Sequence, residues 1–166
     1  MLEHITIEPM TEDFLLWRCL HGGPLSRTTV DRPPAAHDLP WERYRARNVP
    51  LLARLTRTYG ACAITARAGD EVVGQLRFYP KAVCAMQAAG GLCLQQDYPS
   101  GPADDFAAAE FPASPADKTL LVHCLMTGSP QREDNPYQRR GLGTRMVHAL
   151  IDWGAQHGWE YVEAVA

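Results

Sequence analysis

Gln138-Arg139-Arg140-Gly141-Leu142-Gly143-Thr144 places two arginines and two closely spaced glycines just ahead of an amphipathic stretch. Those residue types in that order are the parts of an anion cradle. The first turn of a helix carries unpaired N–H groups and the positive end of a dipole, and glycine lets the backbone come close to a phosphate. Neither standard nucleotide fingerprint fits, because G-x-x-x-x-G-K-[ST] is absent and Gly141 to Met146 lacks the third glycine of G-x-G-x-x-G. The five cysteines, Cys19, Cys62, Cys84, Cys93 and Cys124, form no C-x-x-C pair and no close His/Cys cluster. That spacing argues against a zinc site and a disulfide framework, so no metal is expected.

The elements that must position the cradle are readable on both sides of it. Thr119 to Met126 is nearly continuous in apolar residues, the pattern of a strand covered on both faces at the centre of a sheet. A turn-rich loop, 127 to 137, leads from it to the cradle. A helix then runs to about His157, with Leu142, Met146, Val147, Leu150, Ile151 and Gly154 on one stripe and Gly158 as its stop. Trp159 to Ala166 resumes a strand pattern, so 119 to 166 forms a parallel strand–helix–strand crossover.

Upstream, Ile5 and Ile7 alternate with polar residues in a short strand, and a helix over Phe14 to His21, capped by Thr11, is expected to follow. Trp41 to Tyr59 reads as helical but contains Pro50, which splits it into a piece ending near Asn48 and another beginning at Pro50. That region carries Arg43, Arg45, Arg47, Arg54 and Arg57 against Glu42 alone, a solvated face or an anion-attracting rim. Ala61 to Ala66 and Glu71 to Tyr79 form a hairpin around Ala68-Gly69-Asp70. Residues 80 to 118 read as an irregular insertion. From Asp97 to Asp117 there are five acidic residues, four prolines and no basic residue, which fits either a mobile surface or a lid.

The chain's 166 residues suit one domain, 1 to 166, of mixed α/β class. With 46% apolar and 21% charged residues it is expected to fold. A net charge of −3 gives no electrostatic reason to expect nucleic acid, and no long apolar span points to a membrane. Free cysteines in apolar runs and the lack of a signal peptide place it in a reducing cytoplasm.

Taken together, the residues resemble the GNAT superfamily of acyl-CoA N-acyltransferases, whose pyrophosphate loop has the pattern Q/R-x-x-G-x-G/A. Gln138-Arg139-Arg140-Gly141-Leu142-Gly143 matches every specified position, and the order of elements agrees over most of the chain apart from 80 to 118. The resemblance implies a splayed central sheet, with the N–H groups of Gln138 to Thr144 holding the pyrophosphate of coenzyme A and the arginines adding charge. It also implies that the strand around Leu125 and Met126 diverges from 159 to 166 and offers its backbone to the pantetheine arm. Acetyl-CoA is then the co-substrate, and the partner is a small-molecule amine or a protein amino group; a homodimer stays open. The implied chemistry is direct attack of a neutral amine on the thioester, with a base taking the amine proton. The family often places that base on the buried strand. His123, whose side-chain type titrates near ~6.5, is therefore the first candidate, against the alternative of a core histidine bonded to a neighbour. Cys124 reads as packing, not as a covalent nucleophile.

Two departures accompany the resemblance. The 127 to 137 loop is longer than the family's usual connection. The sequence also stops at Ala166, where the family continues with a helix and two strands that complete the acceptor site, so a general acid has no candidate. A non-catalytic acyl-CoA-binding or regulatory domain is the alternative function, and an interaction module using 80 to 118 is a third.

Overall fold

The apolar runs pair into one six-stranded mixed sheet in a computed structural model that describes residues 4–20, 23–31, 41–84, 110–128 and 135–164. The strands are β1 (Ile5–Pro9), β2 (Leu25–Ser26), β3 (Ala63–Ala68), β4 (Glu71–Pro80), β5 (Thr119–Thr127) and β6 (Tyr161–Ala164), in the order β1-β3-β4-β5-β6 with β2 on β4. All pairs are antiparallel except β5 with β6, which is the expected crossover, its helix being α2 (Leu142–Gln156). The second helix, α1 (Trp41–Tyr59), precedes the β3–β4 hairpin. Each sheet face carries its own apolar cluster. Leu51, Leu52, Leu55 and Tyr59 of α1 meet Ala63, Val72 and Tyr79 on one face, and Leu142, Met146, Leu150 and Trp153 of α2 meet Ile64, Leu76, Phe78 and Leu120 on the other.

The α2 stripe holds with one exchange. Trp153 is buried against Phe78, with ring centroids 5.1 Å apart, while Ile151 is 48% exposed. Met146 of the helix packs over Gly74, where an added Cβ would stand 2.7 Å from its Sδ and 3.1 Å from Cβ of Ala66. Met146 is fully buried and has little room to yield. Gly74→Val is expected to destabilise the chain by about 1–3 kcal/mol through overpacking, read as a lowered thermal midpoint.

Two helix expectations need correction. Glu12–Phe14 form a single 3-10 turn and residues 15 to 19 are not helical, so the expected helix does not run through them; Thr11 makes no side-chain cap, and His21 lies outside the described residues. Phe14, Leu16, Trp17, Cys19 and Leu20 are all buried, which leaves no polar face for an amphipathic helix. Side chains take up the backbone groups that helical bonds would have paired. The Arg77 guanidinium donates to Leu16 O at 2.9 Å, Asn48 Nδ2 to Trp17 O at 3.0 Å, and Leu20 N–H donates to Oε1 of Gln75 at 3.3 Å. The Trp41–Tyr59 helix, in contrast, is continuous through Pro50. Pro50 and Ala46, whose carbonyl loses its donor, are both exposed, so water can take that carbonyl, while Arg47, Leu51 and Leu52 fix the helix on both sides of the break.

Strand β5 is fully buried only at Thr119 and Leu120; Leu121 to Cys124 are half-buried and Leu125 is 42% exposed. It is therefore not covered on both faces along its length. Most of the 80 to 118 insertion lies outside the described residues. Its end is anchored: Phe111 packs on the α1 side under the Arg54 guanidinium, 4.7 Å from the ring centroid, and the Tyr59 hydroxyl donates to Pro112 O at 2.9 Å.

Candidate functional site

The cradle expected from sequence sits at the start of α2. Gly141 is the N-cap in the left-handed region (φ 79°, ψ 5°), Arg139 two residues earlier also has positive φ (55°), and no side chain caps the helix. A left-handed residue beside its neighbour is the backbone pattern that turns successive N–H groups to one side. Arg145 N–H makes the first intrahelical bond, to Gly141 O at 3.0 Å, so the N–H groups of the first turn before it remain for an external acceptor. The turn contains no acidic residue, and Gln138, Arg139, Arg140, Gly141, Thr144 and Arg145 are exposed around it. Charge and dipole have the same sign at this point, which favours an anion.

Gly143 lies where the start of α2 faces β5. An added Cβ there would lie 3.5 Å from Cδ2 of Leu125 and 3.9 Å from Cγ2 of Thr127. The missing side chain thus joins the cradle to the second half of β5. On that half, β5 pairs with β6 only from Thr119↔Tyr161 to Val122↔Ala164, and the edge from His123 to Thr127 has no strand beside it among the described residues. The start of α2 at Gly143 therefore stands against the half of β5 that carries Leu125 and Thr127.

His123 and Met126 are not on the face of Leu125. The pairing of β4 with β5 slips between Arg77↔Cys124 and Phe78↔Val122, which makes His123 the extra residue of a β-bulge. Simple alternation would have put His123 with Leu125, and the bulge breaks it. The imidazole lies against Tyr79, ring centroids 5.9 Å apart, on the α1 face, and Cys124 points the same way toward Cys19. Met126 also packs into the α1-side cluster. Burial pushes the Tyr79 phenol well above its ordinary value, so it stays protonated beside His123. Cys62, fully buried, is pushed up to about 11 by desolvation, and partial burial brings Cys84 to about 11, so both are inert thiols.

Sequence reasoning missed the clamp that holds the cradle to β5. Asn135 Nδ2 donates to Thr127 O at 2.8 Å, and its Oδ1 accepts Tyr137 N–H at 3.1 Å, the Asx-type bond that the Asn135-Pro136 dipeptide signals. The Asn135 amide lies directly over Gly128 (φ 70°), where an added Cβ would fall 2.1 Å from its terminal atoms, and Gly128 N–H donates to Val73 O at 2.7 Å. Gly128→Ala is expected to cost about 2 kcal/mol, from the left-handed backbone and the displaced clamp together. In an Asn135→Ala background the cost should fall to the backbone part alone, which a double-mutant cycle of denaturant midpoints reads directly.

Among the described residues no group of three His, Cys, Asp or Glu is placed to hold a metal ion, and no helix is long and apolar enough to cross a membrane. No protein-family model and no curated protein matches the chain. Among solved structures it is similar to an aminoglycoside acetyltransferase from an uncultured soil metagenomic sample, crystallised in complex with trehalose. That match has 15% sequence identity and a TM-score of 0.42, and it covers 100% of this chain and 80% of that one.

Proposed function

We propose that the chain is an acyl-CoA-dependent N-acyltransferase of the GNAT type, moving an acetyl group from acetyl-CoA to a primary amine. The observation that carries this reading is the nearness, across Gly143, of an uncapped, arginine-flanked helix start to the half of β5 that has no second strand beside it among the described residues. The residues fit the coenzyme: N–H groups before Arg145 for the pyrophosphate, Arg139 and Arg140 for charge, and the backbone near Leu125 and Met126 for the pantetheine arm. The amine nitrogen forms a bond to the thioester carbonyl carbon, the C–S bond breaks, and coenzyme A leaves as the thiol. His123 is the group on β5 suited to take the amine's proton, directly or through water.

The position of His123 on the α1 face, away from Leu125, favours one competing reading: a domain that binds acyl-CoA without turning it over. Release of free thiol from acetyl-CoA over a panel of amines separates the two. Acyl transfer requires amine-dependent thiol release; coenzyme binding without it leaves the binding domain.

A further inference from the structure

We propose that Cys19, Cys124 and Met126 form a binding site for a soft monovalent metal ion, Cu(I). Sγ of Cys19 stands 3.9 Å from Sγ of Cys124 and 3.6 Å from Sδ of Met126, which bring together positions 105 and 107 residues apart. Three sulfurs bound in a plane to one ion at about 2.3 Å each stand about 4 Å from one another. The two separations on Cys19 already have that scale. Cys124 and Met126, two residues apart on β5, share the face that meets Cys19, so one ion can be reached from a strand on one side and the buried 16–20 segment on the other.

The donor set selects the ion. Two thiols and a thioether are soft ligands in a low coordination number, which suits Cu(I). Zinc prefers four nitrogen, oxygen or thiolate donors, and no third His, Cys, Asp or Glu joins this group among the described residues. Loading forms two copper–thiolate bonds and one thioether bond and releases the two thiol protons, with no change of oxidation state. The product carries one negative charge. Arg18, buried and next to Cys19 in the chain, interacts electrostatically with that thiol and offsets it. Cys19 is 4% exposed and Cys124 and Met126 are half-buried, so the ion would be shielded on the Cys19 side.

The test is anaerobic titration of the fully reduced chain with Cu(I) in competition with bathocuproine disulfonate. The expected result is one tightly held equivalent per chain with an ultraviolet thiolate-to-copper band, and no retention of Zn(II) against a chelator. Cys19→Ser and Cys124→Ser should each weaken copper binding by more than the about 10²-fold that losing an outer-shell partner costs. Met126→Leu keeps the volume, so it should remain folded and bind more weakly, while Cys62→Ser, which alters a thiol partnered by Thr56, should bind as wild type. No retained copper in the wild-type chain overturns the site. So does unchanged affinity in folded Cys19→Ser and Met126→Leu chains, or a chain that only joins Cys19 to Cys124 as a disulfide in air. A consequence rests on the proposed function: Cys124 and Met126 lie on the half of β5 given to the acyl arm, so copper should weaken acetyl-CoA binding. Copper retention itself does not depend on that reading, so the two failures are distinguishable.

Discussion

Gly143→Phe is expected to weaken acetyl-CoA binding by about 10²-fold or more, which is about 2.8 kcal/mol at 1.4 kcal/mol per tenfold. The side chain at 143 points at Leu125 and Thr127, with 3.5 and 3.9 Å available to a single Cβ. A methyl group fits at ordinary contact distance, so Gly143→Ala should bind nearly normally, while a phenyl ring fills the junction between cradle and strand edge. Gly141 tests a different cause. Nothing lies within 4 Å of a Cβ there, but φ is 79°, so Gly141→Ala strains the backbone by about 1–2 kcal/mol and distorts the turn without filling it. Calorimetric titration of both variants, with circular dichroism to check folding, separates occlusion from distortion. Wild-type affinity in a folded Gly143→Phe chain would remove the cradle from the binding site.

Arg139 adds a charge at a residue whose own backbone is left-handed (φ 55°), a conformation unfavourable for any side chain. Arg139→Ala should weaken coenzyme binding less than Gly143→Phe and flatten its dependence on salt. Arg139→Gly removes the same charge and relieves the strain. It should show the same flattened salt dependence in a chain that unfolds at a higher temperature than Arg139→Ala.

The start of α2 was legible because its signals are local: glycines ahead of an apolar stripe, with the helix beginning where the stripe does. The β3–β4 hairpin and the β5–α2–β6 crossover were legible for the same reason, through the Gly69-Asp70 turn and the period of α2. What failed to show depends on partners far along the chain. The bulge at His123 exists because β4 and β5 slip by one residue, and no residue type near 123 announces a slip. A second slip on β4, between Ala66↔Gly74 and Arg67↔Val72, leaves Val73 as the extra residue, so Val72 and Val73 enter opposite clusters from those that strict alternation across β4 assigns. The 14 to 20 segment looked helical because it is apolar and unbroken by Gly or Pro. Its backbone is held instead by Arg77, Gln75 and Asn48, polar residues that sequence alone places on unrelated elements.

His123→Asn is expected to lower turnover by about 10²-fold while leaving acetyl-CoA affinity nearly intact. The expectation turns on which face of β5 the reacting carbonyl meets. In the proposed function Leu125 and Gly143 lie on the coenzyme's side, and the bulge carries His123 to the other, against the protonated phenol of Tyr79. A base in that position reaches an amine only along the stretch of the β5 edge, from His123 to Thr127, that has no neighbouring strand among the described residues, so proton transfer has to pass around the edge or through an ordered water. A base that works in this way must be neutral, so wild-type turnover should fall on the acid side of its profile, and that limb should disappear in the Asn variant. Tyr79→Phe separates catalysis from packing, because it keeps the ring that contacts His123 and removes only the hydroxyl. A purely structural His123 would show an Asn variant with lowered thermal stability, wild-type turnover and an unaltered acid limb, and the proton would then have to leave through a group outside β5.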